Sequence, residues 1–343
     1  MGHRFASAAA MALVAIAGLT SVPLAGQVAS SRKTASAGAI PRTPWGAPDL
    51  QGIWDFRTVT PLERPNDLAQ KETLTAGEAA DFESKAAVAK DRDRNVPKGD
   101  VGDYNQFWYD WGNKVAASKR TSLIVDPPDG RIPPLTPEAQ RARDAVAAAR
   151  QGLDVDAPTR GGWVHDLGPG GLRVRCILGF NAGPPMTSSA YNNNVQLFQT
   201  RDHVAILNEM IHDVRIVPLD GRPRAKIQRW AGESRGRWQG ETLVVETMNF
   251  MAPTLTSGGE LSVTTHLTER FTRVAADTLL YEFTVKDPKT WTKPWTAQIP
   301  MTLSQAPLYE YACHEGNYSM YAILGGARQR EAAEDESART GAR

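Results

Sequence analysis

From Asn193 onward the chain alternates apolar and polar residues in short runs broken by turn-forming groups, and this restricts the fold more than any other feature. The runs are NNVQLFQT, HVAILNEMIHDVRIVPL, ETLVVETMNF, LSVTTHLTERFTRV, DTLLYEFTVKD, WTAQIPMTL and LYEYACHEG, separated by RDH, DGRPR, GRWQG, AAD and DPKT. Successive side chains on a strand point to opposite faces, so a period of two with one apolar face is the pattern of a half-buried antiparallel sheet. The spacing predicts a meander that closes into a β-barrel or folds into a β-sandwich. No Gly-rich phosphate loop, βαβ alternation, nucleophile elbow or solenoid repeat interrupts it.

The preceding half is more mixed. PDLQGIWDF reads as a short strand. A helix is predicted over 74–93, with Thr75 as its cap and Glu78 three residues on, and another over 136–152, with Thr136 as cap, Pro137 in the first position and Gly152 as the stop. Between them TSLIVDPPDGRIPPL is a strand running into a Pro/Asp/Gly turn, and DYNQFWYDWGNK concentrates Tyr104, Phe107, Trp108, Tyr109 and Trp111. So many rings in one segment are expected to pack into the core or, alternatively, to line a pocket. Lys+Arg 39 against Asp+Glu 38 leaves no charge excess of the kind that marks a nucleic-acid binder.

The first residues bring compartment into the argument. A basic residue at Arg4, the apolar run ASAAAMALVAIAGL and the small-residue exit TSVPLAGQVAS have the order of a secretory signal peptide, predicted over 1–30. The run is too short and Ala-rich for a stable span, so no membrane insertion is expected after cleavage, and the protein is expected in the periplasm or secreted. A flexible tail is predicted over 31–43, a single domain over 44–328 and a disordered charged tail over 329–343. In an oxidising compartment the even pair Cys176 and Cys313 is a disulfide candidate. The alternative, a catalytic thiol, needs a neighbour that lowers its pKa. His314 is adjacent in sequence, but adjacent strand residues diverge.

Alternation also assigns provisional faces. In HVAILNEMIHDVRIV the more apolar face carries Val204, Ile206, Asn208, Met210, His212, Val214 and Ile216, which places Asn208 and His212 inward; Arg215 falls on the other face. In LSVTTHLTERF, Glu269 shares a face with Leu267 and Phe271, while His266 and Arg270 share the opposite one; either side is a tolerable interior. If the apolar face is inside, Glu269 is a poorly solvated carboxylate unless paired. In LYEYACHEG, His314 and Cys313 diverge, leaving His314 and Glu315 as site candidates. Of six histidines, His3 lies in the signal peptide and none of the others is spaced as a zinc motif. No cofactor is expected, with a divalent metal on His212, His266 and His314 as the alternative.

GIW at Gly52–Trp54 resembles the Gly-x-Trp of lipocalins, in which the Trp packs under one end of a ligand-holding barrel. The phrases PDLQGIW, NEMIHDVRIVPLDGRP, SRGRWQGETLVVETMNF, ERFTRVAADTLLYEFTVKDP and YEYACHEGNY are similar to those of a large, mostly uncharacterised group of exported bacterial proteins, and they cover most of 48–328. The resemblance implies an exported protein with a lipocalin-like barrel and carries no catalytic assignment.

These signals converge on a mainly β protein, an antiparallel lipocalin-like barrel with a partly helical N-terminal elaboration, acting on a small organic molecule. Acid/base chemistry would use His212 as base, Glu269 or His314 as acid, with His266 and Glu315 nearby and Arg270 holding a substrate oxygen; lyase, isomerase or hydrolase activity would fit. The competing expectation is a carrier of an apolar or aromatic ligand, with Trp108, Tyr109, Trp111, Tyr191, Asn208 and Trp295 as pocket walls.

Overall fold

A computed structural model describes residues 40–94, 105–152, 172, 175–251, 254–256, 259–316 and 318–341. The predicted signal peptide lies outside them. The chain is already ordered by Arg42 and Thr43, earlier than the predicted end of the flexible tail: Arg42 bridges Pro48, and Thr43 is buried with its backbone N–H on the Ala47 carbonyl.

The N-terminal helices form where their caps predict. In α1 (Ala76–Lys90) the Thr75 side chain accepts from the Glu78 N–H while the Glu78 carboxylate accepts from the Thr75 N–H, a complete capping box. In α2 (Pro137–Ala149) Thr136 caps the Ala139 N–H and Pro137 opens the first turn. A third α-helix among those fully described, α3 (Ser319–Thr340), corrects the expectation of a disordered tail. Its second half is rich in Ala, Glu and Arg, good helix formers that need no core, and it is mostly exposed.

The rest is strand. β1 (Gly52–Asp55), β2 (Ile124–Asp126), β3 (Asn194–Gln199), β4 (His203–Asn208), β5 (Val214–Pro218), β6 (Glu233–Gln239), β7 (Thr242–Met248), β10 (His266–Ala275), β11 (Thr278–Lys286) and β12 (Trp295–Ser304) make one 10-stranded antiparallel sheet. Its order is β5-β4-β3-β1-β12-β11-β10-β7-β6, with β2 beside β12; β8 (Thr254–Thr256) and β9 (Gly259–Leu261) form a separate hairpin. The N-terminal strand β1 lies between β3 and β12, so both halves of the chain are needed for a continuous sheet.

The sheet curls without closing. Arg215 on β5 pairs with Glu269 on β10 although five strands separate them in the hydrogen-bonded order. At Gly236 on β6 a Cβ would meet Leu219 Cδ2 at 2.6 Å and Val217 Cγ1 at 2.9 Å, so β6 lies against the side chains that leave β5. The two edges face each other without exchanging ladder hydrogen bonds.

The concave side is filled. Phe271, Tyr281, Phe283 and Trp295 form a chain of ring contacts with centroids 5.0, 5.6 and 5.6 Å apart, and all four are buried. Each such side chain contributes roughly 1.5–3 kcal/mol by leaving water. At one end Trp54 is fully buried, donates from Nε1 to the Leu50 carbonyl at 2.9 Å, and lies under the Arg273 guanidinium, 5.2 Å from the ring. Trp295 is therefore a core residue rather than a pocket wall.

Three sequence-based assignments change. GRWQG is not a simple turn, because Arg237, Trp238 and Gln239 belong to β6 and the turn is confined to Gly240 and Glu241. LYEYACHEG forms no strand, which removes the basis for its predicted faces. HVAILNEMIHDVRIVPL is a hairpin, β4 and β5, and the turn at 209–213 shifts the phase, so Arg215 and Val217 point inward while Val214 and Ile216 are exposed.

Candidate functional site at the strapped end of the sheet

Opposite the Trp54 end, residues 175–193 form a strap. Met186 from its middle is buried in the main core, and its N–H donates to Tyr281 Oη at 3.1 Å. One end is tied by the Cys176–Cys313 disulfide, the pairing predicted from the two cysteines. The other is held by Asn181, whose Nδ2 donates to the Tyr191 carbonyl at 2.9 Å and to Asn193 Oδ1 at 3.1 Å. Gly179 allows the strap to touch the β4–β5 turn, since a Cβ there would fall 2.2 Å from Met210 Cγ. Cys176, Ala182, Met210 and Ile211 form a small second core, with Phe180, Tyr191, Tyr311 and Cys313 packed against it.

Behind the strap lies a buried polar centre. Arg215 Nη1 and Nη2 donate to Glu269 Oε2 and Oε1 at 2.7 and 2.9 Å, and Tyr281 Oη donates to Glu269 Oε1 at 2.7 Å. Burial opposes the charge on Arg215, but the attraction of Glu269 overrides it and holds the guanidinium above its ordinary pKa. Burial, then Glu269, push the Tyr281 phenol well above its usual value. The apolar side of the β10 strand is thus the inner one, and Glu269 is compensated by Arg215.

Unlike that trio, the neighbouring polar atoms are unmatched. Asn208 is 1% exposed, and among the described residues neither its Oδ1 nor its Nδ2 has a hydrogen-bond partner; Asp213 Oδ2 and Arg215 Nε are also buried without one there. Asn208 and Asp213 are adjacent across the hairpin, joined by the Asn208 N–H to the Asp213 carbonyl at 2.9 Å. The Asp213 carboxyl is pushed up by burial, against the pull of Arg215 and His212. Asp213, Arg215 and Tyr281 were not singled out from sequence. The signal was present in the length of HVAILNEMIHDVRIVPL, too long for one ordinary strand and broken by the polar turn NEMIHD.

The predicted site residues separate. His212 is exposed in the β4–β5 turn at φ 45°, where its Nδ1 donates to the Tyr311 carbonyl at 3.2 Å, so it is not an inward-facing base. The turn, with positive φ at Ile211 and His212, turns it away from the concave side. His266 and Arg270 are half-buried on the convex face of β10, Arg270 bonding Gln239 Oε1 at 3.2 Å. His314 and Glu315 are exposed beside the disulfide. Among the described residues no group of three or more His, Cys, Asp or Glu is placed to hold a metal ion, and His212, His266 and His314 do not assemble.

The aromatic segment gives a ledge instead of core packing. Tyr109 and Trp111 stack at 5.2 Å and 5°, Tyr191 meets Tyr109 at 6.3 Å and Phe180 at 5.4 Å. Lys90 Nζ lies 5.1 Å from the Trp111 ring and the Arg92 guanidinium 5.1 Å from the Tyr109 ring. Phe107 and Trp108 project from it, 83% and 60% exposed. Through Tyr191 and Phe180 the ledge is continuous with the strap.

No helix among the described residues is long and apolar enough to cross a membrane. Neither family models, nor curated proteins, nor solved structures match the chain.

Proposed function

We propose that the chain is an exported small-molecule-binding protein with a lipocalin-like barrel, whose ligand sits beneath the strap with its polar head on Asn208, Asp213 and Arg215 and its aromatic body toward Tyr191, Tyr109 and Trp111. The observation that carries this reading is the buried Asn208 amide with both atoms unpartnered. An unmade hydrogen bond of a buried polar group costs about 1–3 kcal/mol, so such a residue persists where something completes it. The head is neutral and offers both donor and acceptor, because Glu269 already neutralises Arg215 and burial disfavours the Asp213 anion. An aromatic amide or phenol has that chemistry.

Tryptophan-fluorescence titration with benzamide, phenol and toluene tests the reading. Saturable binding of benzamide or phenol, weakened about tenfold or more by Asn208→Leu and not seen with toluene, is the expected result. Equal affinity in wild type and Asn208→Leu overturns it. Acid/base catalysis is a second reading, favoured by the raised Asp213 carboxyl beside His212. It requires turnover that Asp213→Asn abolishes while circular dichroism stays native.

A further inference from the structure

Another unmatched group lies elsewhere, where 61–72 runs beside 121–130. The two segments are joined by the Leu123 N–H to the Pro61 carbonyl at 2.8 Å, Ile124 N–H to Leu62 at 3.0 Å and Arg64 N–H to Gly130 at 2.8 Å. The Arg64 side chain is enclosed between them, 5% exposed. Among the described residues its Nη1 reaches only the Ala69 carbonyl, at a long 3.5 Å, and the buried Nε and Nη2 meet no acceptor. The basic residues around it each have a side-chain partner: Arg120 pairs with Glu72 through Nη1 while its Nε is unmatched, Lys71 pairs with Glu78, and Arg131 Nη2 donates to Asn66 Oδ1. Arg64 has no carboxylate partner among the described residues.

A guanidinium shielded from water without a counter-charge is costly, and the pKa of arginine is too high for deprotonation to relieve it. The two unmatched donors are also adjacent. Nε and Nη2 form one edge of the planar guanidinium, with two nearly parallel N–H bonds whose spacing matches the two oxygens of a carboxylate or phosphate. Gly130 lies against the Arg64 side chain, at φ 71°, where a Cβ would fall 3.1 Å from both Arg64 Cβ and Arg64 Nε and 2.3 Å from Ser122 Oγ. Any larger residue would crowd the Arg64 side chain and Ser122.

We infer that Arg64 anchors an oxyanion site, binding a carboxylate or phosphate group side-on through Nε and Nη2 under the Pro127–Gly130 turn. The site is separate from the strapped end and does not depend on the ligand reading given for it. Binding is expected to be stronger for a two-oxygen acceptor than for a spherical anion, because only the former satisfies both N–H groups at once.

The full chain is titrated with sodium acetate, sodium phosphate and sodium chloride at matched ionic strength, following melting temperature and the Arg64 Nε–H resonance. Acetate, phosphate or both should raise the melting temperature saturably and shift that resonance with the same midpoint, the responding anion identifying the source. Arg64→Lys keeps the charge but lacks the fork, and should weaken the response at least tenfold; Gly130→Ala should weaken it too. Because Arg64→Met is at risk of misfolding, the resonance in the wild type serves as the independent readout. Stability that follows ionic strength alone, an Nε–H resonance indifferent to all three salts, chloride acting as strongly as acetate and phosphate, or an undiminished response in Arg64→Lys overturns the inference.

Discussion

At the scale of single residues, Glu269 shows how a carboxylate is held on an apolar face. Its two oxygens take two guanidinium bonds and a phenol bond while the side chain is fully buried. Removing one partner of such a pair strands the other, so Arg215→Met or Glu269→Leu alone is expected to cost about 3–5 kcal/mol in urea unfolding. The double replacement should cost clearly less than the two single losses added together. Asp287 is a contrasting case, 2% exposed and met by the hydroxyls of Ser262, Thr264, Thr265 and Thr290 at 2.6, 2.8, 2.7 and 3.0 Å. Burial pushes its carboxyl up, but the hydroxyls together override it and the folded value is lowered. Its contribution is therefore present above the unfolded carboxyl range, about pH 4, and is lost as pH falls through the lower folded value. Asp287→Asn should reduce stability at pH 7 and flatten the acid limb of the stability profile, measured by urea titrations across that range; an unchanged acid limb would show that the hydroxyl cage contributes nothing.

Among the elements, the strap is the one whose position depends on few attachments. The disulfide spans 137 residues of sequence, for which the chain-entropy model gives about 5 kcal/mol of stabilisation. Cys176→Ser/Cys313→Ser should therefore lower global stability by up to that amount. Amide exchange should accelerate first over 175–193 and in the β4–β5 turn, before β10 and β11 respond. Uniform acceleration would mean that the strap and sheet unfold as one unit. The hairpin below the strap also explains which site residues were legible. Asn208 was correctly read as an inward polar residue because β4 keeps its period. His212 was not, because two positive φ angles in the turn end that period, and alternation carries no information across such a break. The rings at 107–111 were visible as a cluster, but their exposure depends on partners such as Tyr191, more than 80 residues away in sequence.

For the whole molecule, the seam between β5 and β6 decides how the curled sheet holds its shape. Gly236 permits β6 to lie against Val217 and Leu219, and the Arg215–Glu269 pair ties β5 to β10 across the concave side. Gly236→Val should force these groups apart at a cost of about 1–3 kcal/mol. Hydrogen exchange should then rise along β5 and β6 while the β10–β11 ladder stays protected; protection unchanged along the seam would show that the edges do not rely on close approach.

The sequence by itself determined the β-rich class, the positions of β3, β7, β11 and β12, both N-terminal helix caps and the cysteine pair, because each follows from local periodicity, hydrogen-bonding groups near in sequence or simple counting. Only the tertiary structure decided that β1 lies between β3 and β12, that the sheet stays open, that Arg215 faces Glu269 across it, and that three separated histidines do not meet. Those outcomes depend on strand order, on phase shifts at turns and on contacts between residues far apart in the chain, none of which leaves a periodic trace in the sequence.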